Sequence, residues 1–283
     1  RSTPLYSSAA SDVYKRQDLF FVEAAGKGFY RYQNNKLTVL LAEFESTSMV
    51  KNSNDSFVLS SLDGLYHYQN NSVIKLKTDI AITQINEICA DAQGNIWAGQ
   101  ATYDEHQHFS TGYLYKINSE GKVTTEDDSI VMGNGMDFSP DNTIFYLAET
   151  SKKAIYKYTY NVATALLTNK KIFANIPSDR GIPDGLCVDS EGFVWVACFF
   201  GSCVMRFDPD GKVEQIVELP VEQITSLCFG GMDLNEIYIT SGNVQWPTKL
   251  YPPSFHLKGN KGGQIFKIKT DIRGKIKHSS NIT

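Results

Sequence analysis

The chain has 283 residues, with 27 basic against 31 acidic side chains and a formal net charge of −4. It carries no basic run or stripe of the kind nucleic acid requires, and no apolar run near the ~18 residues of a membrane helix, so neither partner is expected. Its 15 Tyr and 16 Phe, its β-branched residues and its closely spaced turn residues point to an all-β class.

Residues 1–17 contain no apolar h-region and do not fit the pattern that follows. They read as a foreign or unstructured leader and are set apart from the fold. From residue 18 onward one unit recurs. Its signature is two apolar residues, a basic residue or His, another apolar residue, then a polar turn. The copies are Phe29-Tyr30-Arg31-Tyr32, Leu65-Tyr66-His67-Tyr68, Leu114-Tyr115-Lys116-Ile117, Ile155-Tyr156-Lys157-Tyr158, Val204-Met205-Arg206-Phe207 and Ile265-Phe266-Lys267-Ile268. A β-rich strand precedes each copy, as at Phe20-Phe21-Val22, Ile96-Trp97-Ala98 and Val194-Trp195-Val196. In the last four copies a further strand lies upstream across a tight turn: Ile88-Cys89-Ala90, Met136-Asp137-Phe138, Leu186-Cys187-Val188 and Leu227-Cys228-Phe229. A fourth apolar segment follows, as at Leu37-Thr38-Val39-Leu40-Leu41.

Four antiparallel strands, repeated about 36 to 61 residues apart, describe a propeller blade. A lone four-stranded sheet buries one face, whereas blades packed around an axis bury both. Six copies predict a single six-bladed β-propeller over residues 18–283, with its first blade incomplete. A β-sandwich also uses many short strands, but its strands need not repeat in order. The five cysteines are odd in number, show no CxxC spacing, and mostly fall inside apolar strands. That pattern reads as reduced thiols and a cytoplasmic home.

The innermost strands of a propeller begin near one end of its channel, so residues just before them point to that mouth. Three such residues are oxygen donors. Asn86 precedes Glu87-Ile88-Cys89, Asn134 precedes Gly135-Met136-Asp137, and Asp184 precedes Gly185-Leu186-Cys187. Asn and Asp also make turns for purely local reasons. Three at one blade position, converging on one axis, instead describe a site. Carboxylate and amide oxygens suit a hard divalent cation better than a thiophilic one. Trp97 and Trp195 share a blade position, which reads as packing between blades. Residues 104–108, with their Asp, Glu and His, read as a solvated loop at the rim, and residues 246–256 as a cover over the mouth.

Several motifs resemble the senescence marker protein, regucalcin and gluconolactonase family. They are Asn86-Glu87-Ile88-Cys89-Ala90-Asp91, Gly133-Asn134-Gly135-Met136-Asp137-Phe138-Ser139-Pro140-Asp141, Ile182-Pro183-Asp184-Gly185-Leu186-Cys187-Val188-Asp189 and Thr225-Ser226-Leu227-Cys228-Phe229-Gly230-Gly231, with Gly262-Gly263-Gln264-Ile265-Phe266-Lys267-Ile268 as the last blade. The resemblance implies a propeller that binds one divalent metal, Ca²⁺ or Zn²⁺, and opens a small-molecule sugar lactone. It implies Asn134 and Asp184 as metal ligands, Asp184 also as general base, and Asn86 as a substrate contact. Gln84 stands where the family often has Arg, and His108 near a position that some members fill with a carboxylate, so both are candidate substrate contacts. The family's Glu ligand on the first innermost strand has no counterpart, the region near Ser7 and Ser8 lacking any Glu. That departure implies impaired metal binding. No GxSxG competes as a nucleophile. The expectation is a metal-dependent lactonase. The alternatives are a non-catalytic calcium-binding regulatory protein of the regucalcin type, and a scaffold that binds proteins on its rim.

Overall fold

The computed structural model describes residues 9–14, 18–23, 27–103, 109–243 and 262–282. They form a six-bladed β-propeller of antiparallel sheets. The first blade is β1 (Ala9–Tyr14), β2 (Asp18–Val22), β3 (Gly28–Gln33) and β4 (Lys36–Ala42), and the second is β5 (Ser48–Lys51), β6 (Phe57–Ser61), β7 (Gly64–Gln69) and β8 (Ser72–Lys75). The third is β9 (Ile85–Ala90), β10 (Ile96–Gln100), β13 (Gly112–Ile117) and β14 (Val123–Ile130), with a small ribbon, β11 (Thr102–Tyr103) and β12 (Phe109–Ser110), inserted in it. The fourth is β15 (Gly133–Phe138), β16 (Ile144–Glu149), β17 (Ala154–Asn161) and β18 (Leu166–Asn175). The fifth is β19 (Ile182–Val188), β20 (Val194–Phe199), β21 (Cys203–Phe207) and β22 (Val213–Glu218). Among the described residues the sixth has three strands, β23 (Ile224–Gly230), β24 (Glu236–Ser241) and β25 (Ile265–Lys269).

The core lies between blades rather than within one. Tyr146 and Ile155 of the fourth blade pack with Leu186, Val196 and Met205 of the fifth. Consequently β10 and β20 are buried along their whole length, while outer strands such as β4 and β22 carry mostly exposed residues. Burial on both faces explains why the second strand of each blade reads as a continuous apolar run. Among the described residues no helix is long and apolar enough to cross a membrane.

The structure uses part of the segment that the sequence set apart. Ala9–Tyr14 pairs with Asp18–Val22 in the register Ser11↔Phe21 and Tyr14↔Asp18, so the first blade has four strands. A Ser- and Ala-rich strand shows no apolar alternation, but ladder pairing is made by backbone groups and does not need one. The same reason hides β5, a four-residue strand opening on Ser48.

The turns after β9 and β19 are built alike. Asp91 Oδ1 accepts the backbone N–H groups of Gln93 and Asn95, and its Oδ2 accepts Trp97 Nε1–H at 2.9 Å. Asp189 does the same for Glu191, Phe193 and Trp195. Gly94 and Gly192 adopt left-handed φ values of 84° and 85°, which a side chain would disfavour. Each indole is thus buried and satisfied at its polar atom, which makes it a packing element.

Beyond β25 the chain does not add an outer strand. Residues 271–282 cross the end of the channel at which the innermost strands finish. Gly274 N–H bonds Leu234 O, Ser190 N–H bonds Arg273 O, Ser280 N–H bonds Lys51 O and Asn281 N–H bonds Gly94 O. Lys275 Nζ reaches Asp137 Oδ1 at 2.6 Å, and His278 Nε2 meets Asn142 Oδ1 at 2.7 Å. This strap ties five blades together and closes that end.

Candidate active site

At the opposite end, the mouth, the innermost strands of the third, fourth and fifth blades are distorted at their starts. In β15 the register jumps from Gly133↔Glu149 to Met136↔Leu147. In β19 it jumps from Pro183↔Cys198 to Leu186↔Val196. In β9 it passes from Ile85↔Gln100 to Glu87↔Gly99. The residues passed over include Asn134, Asp184 and Asn86. A bulge leaves its extra residue out of the ladder and re-aims the side chain, and here it does so at the same place in three consecutive blades. The glycines after Asn134 and Asp184 serve close approach. A Cβ on Gly135 would overlap the Leu186 backbone nitrogen, and one on Gly185 would overlap Ser226 of the sixth blade.

The three side chains form a connected set. Asn134 is buried, donates from Nδ2 to Thr150 Oγ1 at 3.2 Å, and hydrogen-bonds Asp184. Thr150 Oγ1 in turn donates to Pro183 O at 2.8 Å, next to Asp184. Asn86 Nδ2 donates to Gly133 O at 3.1 Å, next to Asn134. Asp184 keeps a partial exposure toward the mouth, yet protein surrounds its carboxyl closely. That desolvation, and then the charge of Glu87, push its proton affinity well above the usual carboxylate range, while the Asn134 hydrogen bond opposes them.

Glu87 is the residue that sequence reasoning missed. It follows Asn86 directly, is buried, and accepts from Ser48 Oγ at 2.5 Å. Burial raises its pKa to about 7, against the opposing influence of Ser48 and of Lys277 from the strap. Glu87, Asp137, Ser226, Lys277 and His278 line a cavity of about 30 Å³ below the mouth. The signal was present as an acidic residue inside an innermost strand. Alternation on one strand could not show that it faces the axis, because the bulge at Asn86 resets the alternation. Thr225 occupies the corresponding bulge of β23, where its hydroxyl meets Thr240 Oγ1 at 2.9 Å. A larger groove of about 620 Å³ lies elsewhere, between the first and sixth blades around Tyr32, Tyr238 and Ile265. It is away from these polar groups.

Glu87 makes stability depend on pH with a definite sign. The folded chain holds this proton up to about pH 7, whereas an unfolded one releases it near its ordinary value of 4.5. The native state therefore binds more protons between these limits, and stability falls as pH rises through that window, by up to about 3 kcal/mol. Thermal melts from pH 4.5 to 8 are expected to show this slope, to which Asp184 adds with the same sign, and Glu87→Gln to make it shallower. An identical slope in the variant would assign the effect to other groups.

Gln84 sits just ahead of β9 with a left-handed φ of 55°; its N–H bonds Leu62 O at 2.7 Å and its carbonyl accepts Ala101 N–H at 3.0 Å. It lies at the mouth end of the third blade. His108 and the rest of 104–108, Ser7 and Ser8, and residues 246–256 lie outside the described residues. Among the described residues no three His, Cys, Asp or Glu side chains cluster as a metal site. The donor set at the mouth is one carboxylate and two amides, with a second carboxylate beside it. Such hard oxygen donors fit calcium better than zinc, whose usual partners are imidazole and thiolate.

A family profile described as the SMP-30/Gluconolactonase/LRE-like region matches residues 9–243, which takes in five blades and most of the sixth. The chain belongs to this family. Regucalcin of Oryctolagus cuniculus is 32% identical over 267 residues, covering 88% of this chain and 86% of that protein. Regucalcin of Danio rerio is 37% identical, over 57% of this chain and 55% of the relative's length. Pentonolactonase XacC of Haloferax volcanii is 35% identical over 71% of this chain and 67% of its own. A solved structure from Agrobacterium tumefaciens, described as a calcium-binding protein, regucalcin, superposes with a TM-score of 0.83 over 98% of this chain and 94% of that one. At 22% identity that likeness speaks for the fold alone. The family's propeller is therefore the setting for the oxygen donors at the mouth.

Proposed function

We propose that this family member is a divalent-metal-dependent hydrolase that opens sugar lactones. The observation that carries the reading is that Asn86, Asn134 and Asp184, each lifted from its strand by a bulge, are linked through Gly133, Thr150 and Pro183 at one channel mouth. Membership of a gluconolactonase family and the likeness to a pentonolactonase support it.

Asp184 and Asn134 would hold the cation. Their amide and carboxylate oxygens are hard donors, and a buried carboxyl with raised proton affinity is one that a cation would relieve. When bound, the metal would supply Lewis acidity toward the lactone carbonyl. Asp184, or a water it holds, accepts the proton of the attacking water. Asn86, and Gln84 ahead of the same strand, hold the sugar hydroxyls, with His108 a further contact. Glu87 sits below Asp184 and keeps its proton affinity high.

The test is hydrolysis of gluconolactone and pentonolactones, followed by proton release, with EDTA and then with added Ca²⁺ or Zn²⁺. Turnover restored by a divalent cation is the expected result. The regucalcin relatives favour one other reading, calcium binding without catalysis. In that case Ca²⁺ would raise the melting temperature while no lactone is turned over.

A further inference from the structure

Cys198 and Cys203 stand directly opposite each other in the β20–β21 hairpin. Both are fully buried, and their thiols lie within hydrogen-bonding reach of each other. Opposed residues of an antiparallel pair have Cα atoms ~4.5–5.5 Å apart, within the ~4.4–6.8 Å that a disulfide spans. The other three cysteines lack this relation. Cys89 pairs with Trp97, Cys187 with Trp195 and Cys228 with Tyr238. We propose that Cys198 and Cys203 are a redox modification site, which a peroxide closes to a cross-strand disulfide that tightens the strand bearing Asp184.

Three features support this. The turn joining the two cysteines is strained, with Phe200 at φ 65° and Ser202 at φ 53°. Left-handed backbone is costly for a bulky residue such as Phe, so the turn is a natural place for transient opening to a small oxidant. The Cys203 thiol is also the more acidic of the pair: the Cys198 hydrogen bond and the nearby Arg180 guanidinium favour its thiolate, whereas Cys198 is pushed up. Finally, Cys198 is the ladder partner of Pro183, the residue before Asp184.

The chemistry balances with hydrogen peroxide as oxidant. The Cys203 thiolate attacks one peroxide oxygen; an S–O bond forms, the O–O bond breaks, and water leaves with the thiol's proton. Cys198 then attacks that sulfur; the S–S bond forms, the S–O bond breaks, and a second water leaves. Two thiols lose two electrons, and one peroxide becomes two waters. The disulfide itself is independent of the proposed lactonase activity, and only its consequence for Asp184 rests on that reading.

The experiment treats the intact reduced chain with a few equivalents of hydrogen peroxide, then unfolds it in an alkylating agent and maps peptides by mass. Loss of two of the five thiols is expected, with a 198–203 link that dithiothreitol reverses. Cys198→Ser should stop at a sulfenic acid on Cys203 that dimedone traps. Amide exchange across 182–188 should be at least ~10-fold slower in the crosslinked chain. Retention of all five thiols, or a link between other cysteines, overturns the site. Unchanged exchange across 182–188 overturns its transmission to Asp184. Because no readout uses turnover, an inactive protein would sink the lactonase reading and leave this one decided on its own.

Discussion

If Asp184 is the proposed general base, an Asp184→Ala variant is expected to lose lactone hydrolysis by about 10²–10⁴-fold, the usual contribution of such a group, with further loss from removal of the proposed metal ligand. It is also expected to fold at least as stably as the parent when no metal is present. The reason is electrostatic. Asp184 is a crowded carboxyl whose ionised form is penalised by burial and by Glu87, so removing it relieves the native state. Loss of activity combined with retained or increased stability is the signature of a site kept for function rather than for folding. Asp184→Asn separates the two roles. It keeps an oxygen ligand and the side-chain shape but cannot take a proton, so cation-dependent stabilisation should partly survive while turnover does not. Initial rates and melting curves with and without Ca²⁺ decide the matter. Activity within a few-fold of the parent would remove Asp184 from the mechanism.

The largest loss of stability is expected at the other end of the fifth blade. Asp189 is wholly buried and accepts two backbone N–H groups, Trp195 Nε1–H, and Arg206 through Nε at 3.0 Å and a second nitrogen at 2.7 Å. The Arg206 guanidinium lies 3.7 Å from the centre of the Phe193 ring and also reaches Glu191 and Glu214. Asp189→Ala would orphan buried donors and leave a buried cation with only its outer partners. Breaking one buried ion pair costs about 3–5 kcal/mol, and each orphaned donor about 1–3 more. A loss of at least about 6 kcal/mol is therefore expected in urea titration. Asp91→Ala supplies the internal control. Asp91 makes the same turn and indole bonds, but the residue opposite its tryptophan is Lys116, which pairs with Glu126 at 2.6 Å. Its loss should be roughly half as large. Equal losses would mean that Arg206 adds nothing to the turn.

These two carboxylates show how differently the site and the frame could be read in advance. Asp189 and Asp91 belong to a local motif, an Asp six residues before a Trp with Gly between, and turn chemistry acts over a few residues. Asp184 could be singled out because the same short pattern of polar residue, then Gly, then an apolar strand recurs at Asn134. Glu87 belongs to no such repeat. Its importance comes from Ser48 thirty-nine positions earlier and from Lys277 at the far end of the chain.

The sequence by itself determined the class, the blade repeat and the three oxygen donors, because alternation and turn residues act through neighbours a few positions apart. Tertiary structure alone decided that Ala9–Tyr14 is an inner strand, that residues 271–282 cross the channel end, and that Glu87 lies beside Asp184. Those outcomes depend on backbone pairing and on charges meeting across blades. Neither leaves a periodic trace in the order of side chains.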